Sequence, residues 1–183
     1  AGIPLKRQAV LFRAAHHSDS LEVELARRNI PYVKYGGLKF LEAAHVKDML
    51  CVLRWAENPT DSLAAFRVLQ LLPGMGPGQA RRAMSHLAAN QFAIAALLGF
   101  RVPATAAHDW PELCALLLGL RAGADNWPGQ IGQVRRWYQP HLERRYDAAA
   151  VRAADLEQLE HIAAAYPSRE RFLTELPLDP PNA

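Results

Sequence analysis

Two places in the sequence put residues able to handle phosphate where a fold would expose them. In Leu71-Leu-Pro-Gly-Met-Gly-Pro-Gly-Gln-Ala80 a turn with an apolar residue between glycines separates two helical patterns, and Arg81 and Arg82 follow it. Such a hairpin can present unpaired helix-start N–H groups to an anion, with the helix dipole and the arginines favouring the negative charge. Gly74, Met75, Gly76, Gly78, Arg81 and Arg82 are therefore the candidate nucleic-acid contacts, although plain turn chemistry accounts for the same glycines. No Gly-Lys-Ser/Thr follows, so the stretch is not a nucleotide phosphate loop. The second place is Gln8-Ala-Val-Leu-Phe-Arg13, an apolar run that emerges at an arginine. Strand ends in α/β domains face ligand crevices, where an arginine can stabilise charge on a transferring phosphoryl group.

Other constellations carry less. His16, His17, Ser18 and Asp19 are consecutive, and adjacency does not make the convergent geometry of a triad; a loop with a helix cap explains them better. Glu42, His45 and Asp48 sit at helical spacing and read as a solvated face, with no metal assigned. Arg135-Arg-Trp-Tyr138 and Arg144-Arg-Tyr146 mix bases with aromatics as a strand-tracking surface does. The favoured reading keeps Trp137 and Tyr146 in the core while the arginines reach outward.

The elements that position these groups change character along the chain. Residues 8–13 read as a buried strand, Ser18 caps a helix ending at Asn29, and Pro31–Tyr35 reads as a second strand stopped by Gly36 and Gly37. Strand, helix and strand make a parallel βαβ unit. From Phe40 to Glu57 the apolar positions recur at helical spacing, leaving Glu42, Lys47, Asp48 and Arg54 for other faces. Asn58 then caps a helix with Pro59 at its first position, which runs to Pro73. Beyond it only helices are expected: Pro111 to Gly123, Pro128 to Tyr138 with Pro140 interrupting, a stripe through Leu156, Leu159, Ile162 and Tyr166, and a short helix capped by Ser168. The fold expected is thus predominantly α with a small N-terminal parallel βαβ unit.

A chain of 183 residues with half its residues apolar can bury a core, and a net charge of +3 is compatible with nucleic acid without deciding for it. The two cysteines, Cys51 and Cys114, lie in apolar patterns away from metal-ligand spacing and read as reduced core residues. No apolar run is long enough to span a membrane and no signal segment precedes the first strand, so a cytoplasmic protein is expected.

The order Ile30-Pro-Tyr32, Tyr35-Gly-Gly37, Phe40, Val46-Lys-Asp48 and Leu53-Arg54 resembles the segment that follows motif IV in superfamily one helicases of the UvrD/Rep/PcrA group. The resemblance covers nearly all of the chain, most securely Val10 to Arg82. Val10-Leu-Phe-Arg13 looks like motif IV itself. The resemblance gives Phe12 the role of packing on the adenine and Arg13 that of reaching the γ-phosphate. Ala14 and Ala15 depart from the family's Ser-Asn after that arginine. Leu72-Pro-Gly-Met-Gly76 looks like the family's connection near the DNA path, and Val151 to Leu159 with Phe172-Leu173 resembles the end of its inserted helical 2B subdomain.

The resemblance implies a fragment: residues 1–73 as the first part of the second RecA-like domain (2A), residues 74–176 as a helical 2B-like subdomain, and residues 177–183 as a tail. The partial RecA-like domain would thus precede a helical bundle. The full-length protein would be an ATP-dependent DNA helicase using ATP and Mg2+, with single-stranded DNA and a duplex junction as partners and no membrane. The missing RecA-like domain of the same chain would complete the ATP site. No Walker A loop, Walker B pair or motif V or VI arginine occurs in this sequence, so the fragment is expected to bind no cofactor and to be inactive by itself. A free-standing helix-hairpin-helix DNA-binding module and a helical protein-interaction domain are the other readings.

Overall fold

The computed structural model describes residues 4–10, 12, 15–32, 40–123, 126–147 and 149–176. Within them the chain forms eight α-helices: α1 (Asp19–Arg27), α2 (Ala44–Glu57), α3 (Ser62–Leu69), α4 (Pro77–Ala89), α5 (Asp109–Ala122), α6 (Gly129–Arg145), α7 (Ala149–Ala163) and α8 (Arg169–Glu175). Short 3-10 segments join several of them, including Phe40–Glu42, Ile94–Gly99 and Ala104–Ala106.

The chain is predominantly α as its sequence implies, but the expected βαβ unit is not there: no strand occurs among the described residues. Gln8 to Val10 and Phe12 are irregular, with Val10 at 63% and Phe12 at 36% exposure. Of the second expected strand only Pro31 and Tyr32 are described, also irregular, and the Gly36-Gly37 turn lies outside the described residues. The physical reason is pairing. A parallel strand survives by sharing its N–H and C=O groups with neighbours in a sheet covered on both faces, and two short runs alone do not meet that requirement.

The helix α2 is the axis of the fold. It packs against α3, α5, α6, α7 and α8. Val46, Met49, Val52, Leu53, Trp55 and Ala56 have no exposed surface, and His45, Asp48 and Leu50 are buried as well. A helix buried on this many faces must place its polar side chains among partners, which overturns the reading of His45 and Asp48 as a solvated face. Asp48 accepts from Arg67 Nε at 2.6 Å and from the Tyr138 hydroxyl at 2.5 Å. His45 Nε2 lies 2.7 Å from Asp155 Oδ2, and Arg152 brackets the other ring nitrogen at 3.3 Å while its guanidinium covers the Tyr146 ring at 4.1 Å. Partners 90 and 110 residues away in sequence therefore fix the rotation of α2 against α6 and α7.

Helix ends follow local chemistry, with four corrections. Ser18 stands at the N-cap of α1, but its side chain makes no cap bond and its hydroxyl donates to Glu22 Oε1 at 2.6 Å. The α-helical part of α2 starts at Ala44, after the 3-10 turn, and not at Phe40. Asp61 caps α3 by accepting from the Ala64 N–H at 3.0 Å, while the expected cap, Asn58, folds its side-chain oxygen onto the Thr60 N–H and hydroxyl. Pro140 does not break its helix: α6 runs through it to Arg145. The lost N–H costs one bond, and the buried residues Trp137, Tyr138, His141 and Leu142 on either side hold the helix together. Ser168 caps α8 as expected, accepting from Arg171 N–H at 3.2 Å, and Gly123 ends α5.

Two basic-aromatic clusters resolve into structure. Arg135 pairs with Glu157 and Glu160, Arg144 with Asp109, and Arg145 donates to the Gln70 carbonyl, so these guanidiniums are engaged inside the molecule. Trp137 and Tyr138 are buried. Beside them His141 is 2% exposed, and burial pushes its pKa down to about 4, helped by the Arg144 and Arg145 guanidiniums and opposed by Asp109. An imidazole at 6.5 in the unfolded chain and about 4 in the fold binds its proton first in the unfolded state. Stability therefore falls as pH drops through that window and the loss is complete below it. A His141→Gln variant is expected to show a flatter melting temperature between pH 6.5 and 4 than the parent, read by circular dichroism.

Candidate nucleic-acid interface

The hairpin between α3 and α4 is built from buried anchors around an exposed turn. Leu71 and Leu72 are buried, and the Met75 N–H returns to the Leu72 carbonyl at 3.2 Å. Met75 itself is 2% exposed, so its side chain anchors the turn from inside and is not available to a ligand. Gly74 has φ +73°, the left-handed region, and a Cβ there would fall 2.0 Å from Thr105 Oγ1. Both conformation and space therefore require glycine at this position.

Gly76 and Gly78 are different. A Cβ at either would meet nothing within 4 Å, so neither packing nor backbone strain explains them. Gly76 is the N-cap residue of α4 and Pro77 its first helical residue; no side chain caps the helix and no acid lies in its first turn. The first α-helical bond closes from the Ala80 N–H to the Gly76 carbonyl at 3.0 Å. The Gly78 and Gln79 N–H groups precede it and are left as the orphan donors of a helix start, at the positive end of the dipole. Arg81 and Arg82 are exposed on the next turn, Arg81 lying 6.0 Å from the centre of the Phe66 ring. Chain continuity thus places Gly74, Gly76, Gly78, Arg81 and Arg82 in one exposed hairpin. Orphan N–H groups and arginines in such an arrangement can hold an anion and carry no preference for a base.

The other expected pair is less defined. Phe12 is in the exposed irregular stretch, and Arg13 lies outside the described residues. No group of three or more His, Cys, Asp or Glu side chains able to hold a metal occurs among the described residues. No described helix is long and apolar enough to cross a membrane. Cys51 and Cys114 are free, with Cys114 buried and its thiol pushed up to about 11 by that burial.

Sequence reasoning missed the wall behind the turn. Thr105 Oγ1 donates to the Pro73 carbonyl at 3.3 Å. The signal available was the pair of prolines, Pro73 and Pro103, but nothing local says that the stretches carrying them meet.

The model of the UvrD-like helicase C-terminal domain matches residues 1–97. An ATP-dependent DNA helicase PcrA of Staphylococcus epidermidis is 28% identical over 95 residues, which is 51% of this chain and 13% of that protein. Another ATP-dependent DNA helicase PcrA, from Staphylococcus aureus, is 29% identical over 92 residues, 50% of this chain and 13% of the relative. The chain thus spans a small part of the length of these relatives, and the family model's match includes the whole hairpin.

Proposed function

This chain belongs to the UvrD-like helicase C-terminal domain family, and on that premise we propose that it is a piece of an ATP-dependent DNA helicase. Residues 1–73 correspond to the beginning of the 2A domain and residues 74–176 to a helical 2B-like subdomain. Because α2 of the first segment packs against α5 to α8 of the second, this division is one of descent and not a break in packing.

In this reading Phe12 packs on the adenine and Arg13 reaches the γ-phosphate, forming one wall of a site for ATP and Mg2+. Groups that hold the metal and the β- and γ-phosphates come from a RecA-like domain outside this sequence, so the chain alone does not turn ATP over. The likeness to the two PcrA helicases supports DNA as the partner; a cytoplasmic setting belongs to the same reading.

The observation that carries the DNA contact is the start of α4: bare N–H groups, no acid in the first turn, two glycines that packing does not need, and Arg81 and Arg82 beyond them. Backbone N–H groups and arginines at such a place hold phosphates and fix position without reading sequence. Replacing Arg81 and Arg82 together by Glu is expected to lower DNA affinity and to flatten its dependence on salt, since counterion release scales with the phosphates neutralised. Fluorescence anisotropy over a salt series checks this. Unchanged binding by a folded double variant reduces the hairpin to a connector.

A further inference from the structure

The turn at Gly74 has a second wall that comes from a distant stretch of chain. A Cβ at Gly74 would lie 3.6 Å from Pro103 Cβ as well as 2.0 Å from Thr105 Oγ1. The Thr105 hydroxyl bridges 32 residues to the Pro73 carbonyl. The stretch that delivers it is itself held firmly. His86 of α4 lies 2.9 Å from the Ala96 carbonyl, and the Trp110 Nε1–H donates to the Leu97 carbonyl at 3.0 Å. Between them the Phe100 ring packs against both His86 and Trp110, with centroids 5.6 and 5.7 Å away. Thr105 is therefore placed by a rigid support and not by a loose loop.

The same stretch carries Arg101, which is exposed. Arg67, Arg135, Arg144 and Arg169 are engaged with carboxylates, whereas Arg82 and Arg101 have no hydrogen bond or ion pair among the described residues. Two residues of extended chain span at most about 7 Å, so the Arg101 backbone lies beside Pro103 and hence beside the turn. A guanidinium without a partner among the described residues, on the stretch that backs the turn leading into the bare start of α4, adds positive potential to that side of the hairpin.

We propose that Arg101 is a further contact to the DNA phosphate backbone and that Thr105 is a positioning residue fixing the Gly74 turn. The surface is then a composite of residues 74–82 and 101–105. It rests on the reading of the hairpin as a DNA-binding element. Thr105 acts through the Pro73 carbonyl: its hydroxyl holds the turn in the one shape that aims the start of α4 at a phosphate.

The test measures binding of a labelled duplex with a single-stranded tail across a salt series, for the parent chain, Arg101→Ala, Thr105→Val, Thr105→Ser and the Arg81→Glu/Arg82→Glu double variant, each checked for folding by circular dichroism. Arg101→Ala is expected to weaken binding and to reduce the slope of log affinity against log salt by about one, the value for one phosphate contact. Thr105→Val is expected to reduce that slope although it removes no charge, which simple loss of stability would not do, and Thr105→Ser, which keeps the hydroxyl, to restore it. Parent-like slopes for both Arg101→Ala and Thr105→Val, with binding lost in the double variant, overturn this proposal and leave the hairpin reading standing. Parent-like binding by the double variant, or no binding by the parent chain, overturns both.

Discussion

Arg169→Ala is expected to destabilise the fold by about 3 kcal/mol, the scale for losing two buried hydrogen bonds from a charged donor. The guanidinium is 6% exposed and gives Nη1 to the Leu120 carbonyl at 2.8 Å and to Gln130 Oε1 at 2.9 Å, while Nε reaches Glu57 Oε2 at 2.5 Å. Gln130 in turn donates to the Leu120 and Gly123 carbonyls at 3.2 and 2.6 Å, so one side chain of α8 satisfies the ends of α2 and α5 and the start of α6. Removing it orphans the buried Gln130 Oε1 and takes one of two donors from the Leu120 carbonyl. Glu57 itself is 39% exposed, so water replaces its partner and the ion pair contributes little of the loss. Urea unfolding should give a lower midpoint with an unchanged slope. Arg169→Met fills much of the volume but supplies no donor, and it should recover less than half of the loss. Full stability in Arg169→Met would mean that the polar hub adds nothing net, as happens when desolvation cancels attraction.

Arg13→Ala in the full-length protein is expected to lower kcat for ATP hydrolysis by roughly a hundredfold or more, the scale for losing one preorganised donor aimed at developing charge. The expectation follows from an arginine closing the apolar run Val10-Leu-Phe12 and from the role that the resemblance gives it. Phe12→Ala should separate from it by weakening nucleotide binding with a smaller effect on turnover, because its assigned contact is to the base. Single-turnover hydrolysis and nucleotide titration together distinguish the two. Normal turnover in a well-folded Arg13→Ala helicase would remove Arg13 from the ATP site.

Which parts of this fold were legible in the sequence depended on how far away their causes lie. Helices α5, α7 and α8 declared themselves through apolar spacing and through Gly123 and Ser168, whose partners are within a few residues. The turn at Gly74 was readable because one residue type is needed there. Strands were misjudged because β-branched and aromatic composition records a preference for a pleated surface and not the presence of partners. His45 and Asp48 were misjudged for the opposite reason: their partners, Asp155 and Tyr138, are far off in sequence, and polar type alone suggested water. Pro140 ended a helix by local rule, yet the packing of Trp137 to Leu142 outweighed one lost bond. Among the candidate contacts, the bareness of the α4 start could be inferred from residue types, but the support behind it from Thr105 could not.

The central place of α2 has a consequence for the order in which the chain can fold. Its partner α3 follows at once, but the rest of its surface is covered by helices reaching to Arg169, 112 residues beyond Glu57. At a synthesis rate of about 5–20 residues per second, α2 waits on the order of ten seconds on the ribosome with Trp55, Met49 and Leu53 short of their final neighbours. The hub that clips α8 to the ends of α2 and α5 is also among the last contacts to become possible. Folding during translation is thus held back to a late, concerted closure, and the interval before it is when the nascent chain most needs a chaperone.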